Sequence, residues 1–132
     1  MKVDISSWDA RTRRMLKIYP LDDGRAQHWL MNYGGDMRQV QLEYLRHYGG
    51  EVFNTAYSEF NGLKYAEEGR LIDSLDYTLK MFKRARIMYQ TWDDLTNNEP
   101  WGLPIERLKA CDKKIKECRE KIGFLKIGPG GI

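Results

Sequence analysis

Cysteine and histidine are scarce in this 132-residue sequence, which contains two of each, and their scarcity excludes several classes of site. Cys111 and Cys118 are too few for a disulfide framework. If both lie on one helix, a rise of about 1.5 Å per residue separates them by roughly 10 Å, too far for a disulfide or a shared zinc ion. We therefore predict that both are reduced, buried residues, and that the protein has no metal, cofactor or small-molecule ligand.

Long apolar runs are also missing. No segment approaches the roughly 20 apolar residues that a membrane-spanning helix requires. The N-terminal segment MKVDISSWDARTRRM contains acidic residues and no apolar stretch, unlike a secretory signal. The hydrophobic content of 42% and the charged content of 31% are typical of a one-domain globular protein. These features predict a soluble, cytoplasmic protein that does not contact a membrane.

The net charge of +3 is small but unevenly distributed. Residues 104–132 carry eight basic and four acidic side chains, a net charge of +4, whereas residues 1–103 carry 14 basic and 15 acidic side chains, a net charge of −1. The basic excess therefore belongs to the C-terminal segment, and it permits attraction to an acidic partner without requiring one.

Capping residues and apolar residues spaced three or four apart predict a mainly α fold. A first helix begins after Ser6 or Ser7, although the segment MLKIY (15–19) also has the alternation of a short strand. Asp22 or Asp23 begins a second helix, because an aspartate side chain can accept hydrogen bonds from the first free N–H groups of a helix.

The pattern aromatic-Leu-x-x-Tyr-Gly-Gly-acid occurs twice, at 29–36 and at 44–51. Because a glycine with positive φ commonly ends a helix, we predict that Gly34 and Gly49 each end a short helix, and that Asp36 begins the next one. The alternative is a glycine loop around a phosphate, but the rest of a phosphate-binding motif is missing.

Residues 51–63 combine β-branched and aromatic residues with Asn and Gly, which favours a short strand or an irregular connection. Residues 64–95 and 104–122 then form two long helices, and the short connection between them favours an antiparallel pair. We therefore predict a single compact helical domain over residues 1–123, with minor β or extended segments, and an extended tail over residues 124–132.

The two long helices carry more apolar surface than one helix face requires. In the first, apolar residues recur at steps of three and four, yet further apolar residues lie off this stripe, which indicates a helix with two apolar sides. In the second, they form a narrow seam like that of a coiled coil. Aromatic residues supply much of the binding energy at interfaces. The residues that we expect to contact another protein are Ile87, Met88, Trp92, Trp101, Leu108, Ile115 and Ile122.

Residues suited to catalysis are few and poorly arranged in the sequence. His28 and His47 lie in predicted helices without a nucleophile and an ordering acid beside them. Adjacent acidic residues such as Asp93 and Asp94 point about 100° apart on a helix, which does not suit two facing carboxylates. We predict a structural role for both histidines and no enzymatic activity.

Clusters of basic residues indicate an alternative function. Lys and Arg side chains can neutralise phosphates, but the net charge is low and no nucleic-acid-binding signature is present. This alternative predicts a nucleic-acid affinity that falls steeply as the salt concentration rises. The candidate contact residues are Arg11, Arg13, Arg14, Lys80, Lys83, Arg84 and Arg86.

Together these patterns favour a non-enzymatic protein-binding or assembly protein that contacts a protein partner or forms a homo-oligomer. Such a protein is either a subunit of a larger assembly, with a viral or mobile-element complex as one option, or an inhibitor of another protein. The alternative is a nucleic-acid-binding accessory protein that uses its basic helix faces.

Overall fold

Five α-helices make up most of the part of the protein that the structure, a computed structural model, describes. The described residues are 3–63, 68–96 and 103–127, and within them there is no strand. The helices are α1 (Ala10–Ile18), α2 (Asp23–Asn32), α3 (Met37–Gly62), α4 (Glu68–Thr96) and α5 (Leu103–Ile127). The predicted mainly α fold is therefore confirmed. The strands considered for 15–19 and 51–63 are wrong, because α1 and α3 occupy those segments.

Aspartate side chains cap the first three helices. Asp9 accepts a hydrogen bond from the backbone N–H of Arg11 at 2.8 Å, so the cap of α1 lies beyond the two serines considered from the sequence. Asp22 and Asp36 accept equivalent hydrogen bonds at the starts of α2 and α3, as the sequence predicts. These carboxylates satisfy N–H groups that have no partner within the helix.

The two copies of the Tyr-Gly-Gly pattern have different roles. Gly34 and Gly35 have φ values of 60° and 83° and follow the end of α2, as predicted. The prediction for Gly49 is wrong, because α3 continues through both glycines of the second copy. A Cβ atom at Gly49 would lie 3.2 Å from Tyr89 Cε1 and 3.4 Å from Met88 Cβ. The missing side chain therefore lets α3 and α4 approach each other closely.

α4 is the central helix of the fold, since it packs against α3 and also against α5. Toward α3, the Phe82 ring meets the rings of Phe53 and Phe60 edge-on, at centroid distances of 5.5 and 6.4 Å. Toward α5, Arg86 Nε lies 2.6 Å from Asp112 Oδ1. Two neighbours explain why α4 is apolar on two sides.

The contacts between α4 and α5 follow an order consistent with the predicted antiparallel pair. Late in α4, the Tyr89 ring centroid lies 5.9 Å from the Arg107 guanidinium, which is near the start of α5. Early in α4, Leu71 lines a groove together with Leu125, which is near the end of α5.

The C-terminal helix is longer than the sequence indicates. α5 continues past Gly123 to Ile127, so the predicted extended tail is wrong for residues 124–127, which are helical. The helix continues because Leu125 packs against the core, three residues after the buried Ile122. The rest of the predicted tail lies outside the described residues.

α1 and α2 pack against α3 and α4 through polar as well as apolar contacts. Gln41 of α3 is buried, and its Oε1 accepts hydrogen bonds from the Asp9 backbone N–H at 2.9 Å and from the Thr12 hydroxyl at 3.1 Å. The Tyr44 hydroxyl donates to the backbone carbonyl of Tyr19 at 2.7 Å. These bonds fix the short N-terminal helices on the longer ones.

Cys111 and Cys118 are free, buried thiols in the seam of α5, as predicted. Burial raises the pKa of Cys111 to about 12 and that of Cys118 to about 11. Across the described ranges, no helix combines the length and the apolarity that crossing a membrane would need.

Candidate binding surfaces

Most residues predicted to contact a partner lie in the core of this chain. Because α4 is covered on two sides, most of its described apolar side chains are buried within the fold. Ile87 is 37% exposed and Leu108 is partly buried, while Trp101 lies outside the described residues. The predicted contact residues that are buried are Met88, Trp92, Ile115 and Ile122.

The structure divides the basic residues considered for nucleic-acid binding. α1 packs against α4, so the two predicted clusters lie on neighbouring helices. Arg11 and Arg86 each contact a carboxylate oxygen at 2.6 Å, in Asp94 and Asp112 respectively, and Arg84 is partly buried. These carboxylates offset part of the positive charge, and nucleic-acid binding stays a prediction. The remaining basic residues, which are exposed, are Arg13, Arg14, Lys80 and Lys83.

An open apolar groove lies where the start of α4 meets the last turns of α5, and its volume is about 590 Å³. We call it the leucine groove. Its charged lining residues are Glu117, Glu120 and Lys121. Its apolar lining residues are Leu63, Leu71, Leu75, Phe124 and Leu125.

Phe124 is the most exposed aromatic side chain of the leucine groove, with 69% of its surface accessible. Phe124 follows Ile122 by two residues, which is a rotation of about 200° around the helix axis, so it lies away from the buried seam of α5. The sequence prediction missed this site, since it ended the helix near Gly123. The spacing of three residues between Ile122 and Leu125 is the signal that the helix continues.

A second, more polar pocket of about 290 Å³ lies between α3, α4 and α5. We call it the tyrosine pocket. Residues from α3 that line it are Arg46, His47, Gly50, Glu51 and Asn54. Tyr89 and Trp92 of α4 and Arg107 of α5 complete the lining.

The two histidines make contacts with neighbouring side chains. The His47 ring meets the Trp29 ring edge-on at a centroid distance of 5.5 Å. Its Nε2 lies 2.8 Å from Glu51 Oε1, although the angle is not that of a hydrogen bond. His28 Nε2 lies 3.2 Å from the side-chain nitrogen of Asn32. These contacts suit the predicted structural role, and the absence of enzymatic activity stays a prediction.

The described side chains contain no group of three or more His, Cys, Asp and Glu residues placed to hold a metal ion. Comparisons of this chain with protein-family models, with curated proteins and with solved structures gave no match. Function is therefore inferred from the leucine groove and the tyrosine pocket.

Proposed function

We propose that this chain is a non-enzymatic assembly protein that pairs with a second copy of itself through the leucine groove. The observation that carries the proposal is Phe124, which is 69% exposed beside an open groove lined mainly by apolar side chains. Exposed apolar patches on proteins commonly mark interaction sites, because water is displaced from them on contact.

The same surface offers both halves of a contact. The groove accepts an apolar side chain and Phe124 supplies one, so two copies related by a twofold axis can make the same contact twice. The rim carries charges of both signs, in Glu117, Glu120 and Lys121. Glu117 and Glu120 already lie 3.0 and 4.0 Å from the Nζ atoms of Lys114 and Lys116. The match between two copies therefore rests on Phe124 and the apolar side chains of the groove.

The size of the expected effect follows from apolar burial. Fully burying one phenylalanine side chain stabilises a contact by about 1.5–3 kcal/mol. A symmetric dimer buries two Phe124 rings, so their contribution is at most about 3–6 kcal/mol. Because each 1.4 kcal/mol changes an equilibrium constant tenfold, loss of both rings should raise the dimer dissociation constant by up to about 10²- to 10⁴-fold.

Sedimentation velocity and light scattering over a range of protein concentrations test this proposal on the full chain. The wild-type chain should change from monomer to dimer as its concentration rises, and Phe124→Glu should remain a monomer over the same range. Circular dichroism should show unchanged helix content in Phe124→Glu, because the replaced side chain is exposed.

Tyr77→Glu is the matched control, since Tyr77 is a 54% exposed aromatic residue of α4 that does not line the leucine groove. It should dimerise like the wild type. A wild-type chain that is monomeric at every concentration would overturn the proposal, and so would a Phe124→Glu variant that dimerises normally.

A further inference from the structure

The Tyr89 hydroxyl is a buried polar group without a hydrogen-bond acceptor in the part of the chain that the structure describes. Tyr89 is 1% exposed, and its hydroxyl donates to no atom there, while the nearby Arg107 guanidinium can only donate to it. Buried polar groups are normally hydrogen-bonded, so such a group requires an explanation. Burial raises the pKa of Tyr89, which keeps the hydroxyl protonated and able to donate.

The Tyr89 hydroxyl lies beside Gly50 at the wall of the tyrosine pocket. Both residues line the pocket, and a Cβ atom at Gly50 would lie 3.8 Å from the Tyr89 hydroxyl oxygen. A side chain at position 50 would therefore occupy the space directly beside the hydroxyl. The volume of about 290 Å³ accommodates a small organic molecule.

The charges around the pocket favour a single negative charge on that molecule. Arg107 projects from α5 over the Tyr89 ring. Arg46 is already paired with Glu43, and Glu51 lies beside Arg25 and His47. Among the arginines that line the pocket, Arg107 contacts no carboxylate within the described chain. A planar guanidinium forms paired hydrogen bonds with a carboxylate.

The remaining lining residues define the rest of the ligand. Asn54 offers an amide donor, while the rings of Tyr89 and Trp92 offer apolar surface. A small apolar molecule that carries one carboxylate matches both the polar and the apolar lining residues.

We propose that the tyrosine pocket binds a small monocarboxylate, with its carboxylate held by the Tyr89 hydroxyl, Arg107 and Asn54 and its apolar body against Trp92. This site is separate from the leucine groove, whose residues lie at the other end of α5. It also revises the sequence-based expectation that no small-molecule ligand binds. Binding supplies the acceptor that the buried hydroxyl lacks.

Titration of the isotope-labelled full chain with benzoate, followed by NMR, tests the site. Benzoate should produce saturable shifts at the amides of Gly50 and Asn54. Benzamide, which has the same shape without the charge, should bind at least about tenfold more weakly, because a hydrogen bond to a charged group contributes more than a neutral one.

Three variants locate the binding. Arg107→Gln should weaken benzoate binding about tenfold or more, and Gly50→Ala should weaken it by narrowing the pocket while the helix is kept. Arg119→Gln removes an exposed arginine of α5 outside the pocket and should bind like the wild type. The proposal is overturned by the absence of saturable shifts, by equal binding of benzamide, or by undiminished binding in both Arg107→Gln and Gly50→Ala.

Discussion

Gly49 and Gly50 are adjacent in α3, and alanine at each position should change stability differently. Within a helix, alanine is favoured over glycine by about 1 kcal/mol. Gly50→Ala should gain most of this, since its nearest contact, the Tyr89 hydroxyl oxygen at 3.8 Å, is at an ordinary distance. Gly49→Ala would instead place a Cβ atom 3.2 Å from Tyr89 Cε1 and 3.4 Å from Met88 Cβ.

The neighbours of Gly49 have little freedom to move. Tyr89 and Met88 are 1% and 0% exposed. The Met88 Cβ atom is fixed to the α4 backbone, so full relief requires α3 and α4 to separate. Overpacking of this kind costs about 1–3 kcal/mol. Gly49→Ala should therefore range from neutral to about 2 kcal/mol less stable than the wild type, and should be about 1–3 kcal/mol less stable than Gly50→Ala.

Urea unfolding, followed by far-UV circular dichroism, measures the difference in the free energy of unfolding between Gly49→Ala and Gly50→Ala. The comparison holds when the dependence of that free energy on urea concentration is the same in all variants. Gly123→Ala is the control for helix preference alone, because nothing lies within 4 Å of a Cβ atom there. It should be stabilised to a similar extent as Gly50→Ala. If Gly49→Ala proves as stable as Gly50→Ala, the close approach of α3 and α4 is refuted.

Two further predictions concern buried groups. Gln41→Ala leaves the Thr12 hydroxyl and the backbone N–H of Asp9 without their acceptor, and should lower the free energy of unfolding by about 1–3 kcal/mol. Gln39→Ala, at an exposed position of the same helix, should change it by less than about 0.5 kcal/mol. Equal effects of the two substitutions in urea unfolding would contradict the role of Gln41. Burial raises the pKa of Cys111 to about 12 and that of Cys118 to about 11 from 9.0. The unfolded chain therefore loses these protons at a lower pH than the folded chain does, and the free energy of unfolding should fall as the pH rises above 9.0. A disulfide-exchange reagent at mildly alkaline pH should react with both thiols only as fast as the chain opens, and rapid reaction of the folded protein would contradict their burial.

Local signals in the sequence were sufficient for much of the fold. The step of three and four between apolar residues identified α4 and α5, because a helix that packs on others must repeat its apolar face at that spacing. Asp22 and Asp36 were identified as helix starts, and Gly34 as a helix end, since capping depends on residues within one turn.

The same local signals were misleading where tertiary contacts decide the structure. Gly49 has the sequence context of Gly34, yet it lies inside α3, because the packing of α4 against it favours continuation of the helix. The apolar excess of α4, including Met88, was assigned to a partner because a sequence does not state how many neighbours a helix has. The Phe124 site is missed because the predicted helix ends near Gly123, whereas the tyrosine pocket is missed because it combines residues of α3, α4 and α5.

The central position of α4 has a consequence for synthesis on the ribosome. One side of α4 is covered by α3, which is made earlier, and the other by α5, which is made later. Until α5 has emerged from the exit tunnel, the nascent chain presents the side of α4 that α5 will cover to water and to chaperones. This part of the core is therefore completed only after α5 has been synthesised, and a premature stop before α5 would yield a fragment prone to aggregation.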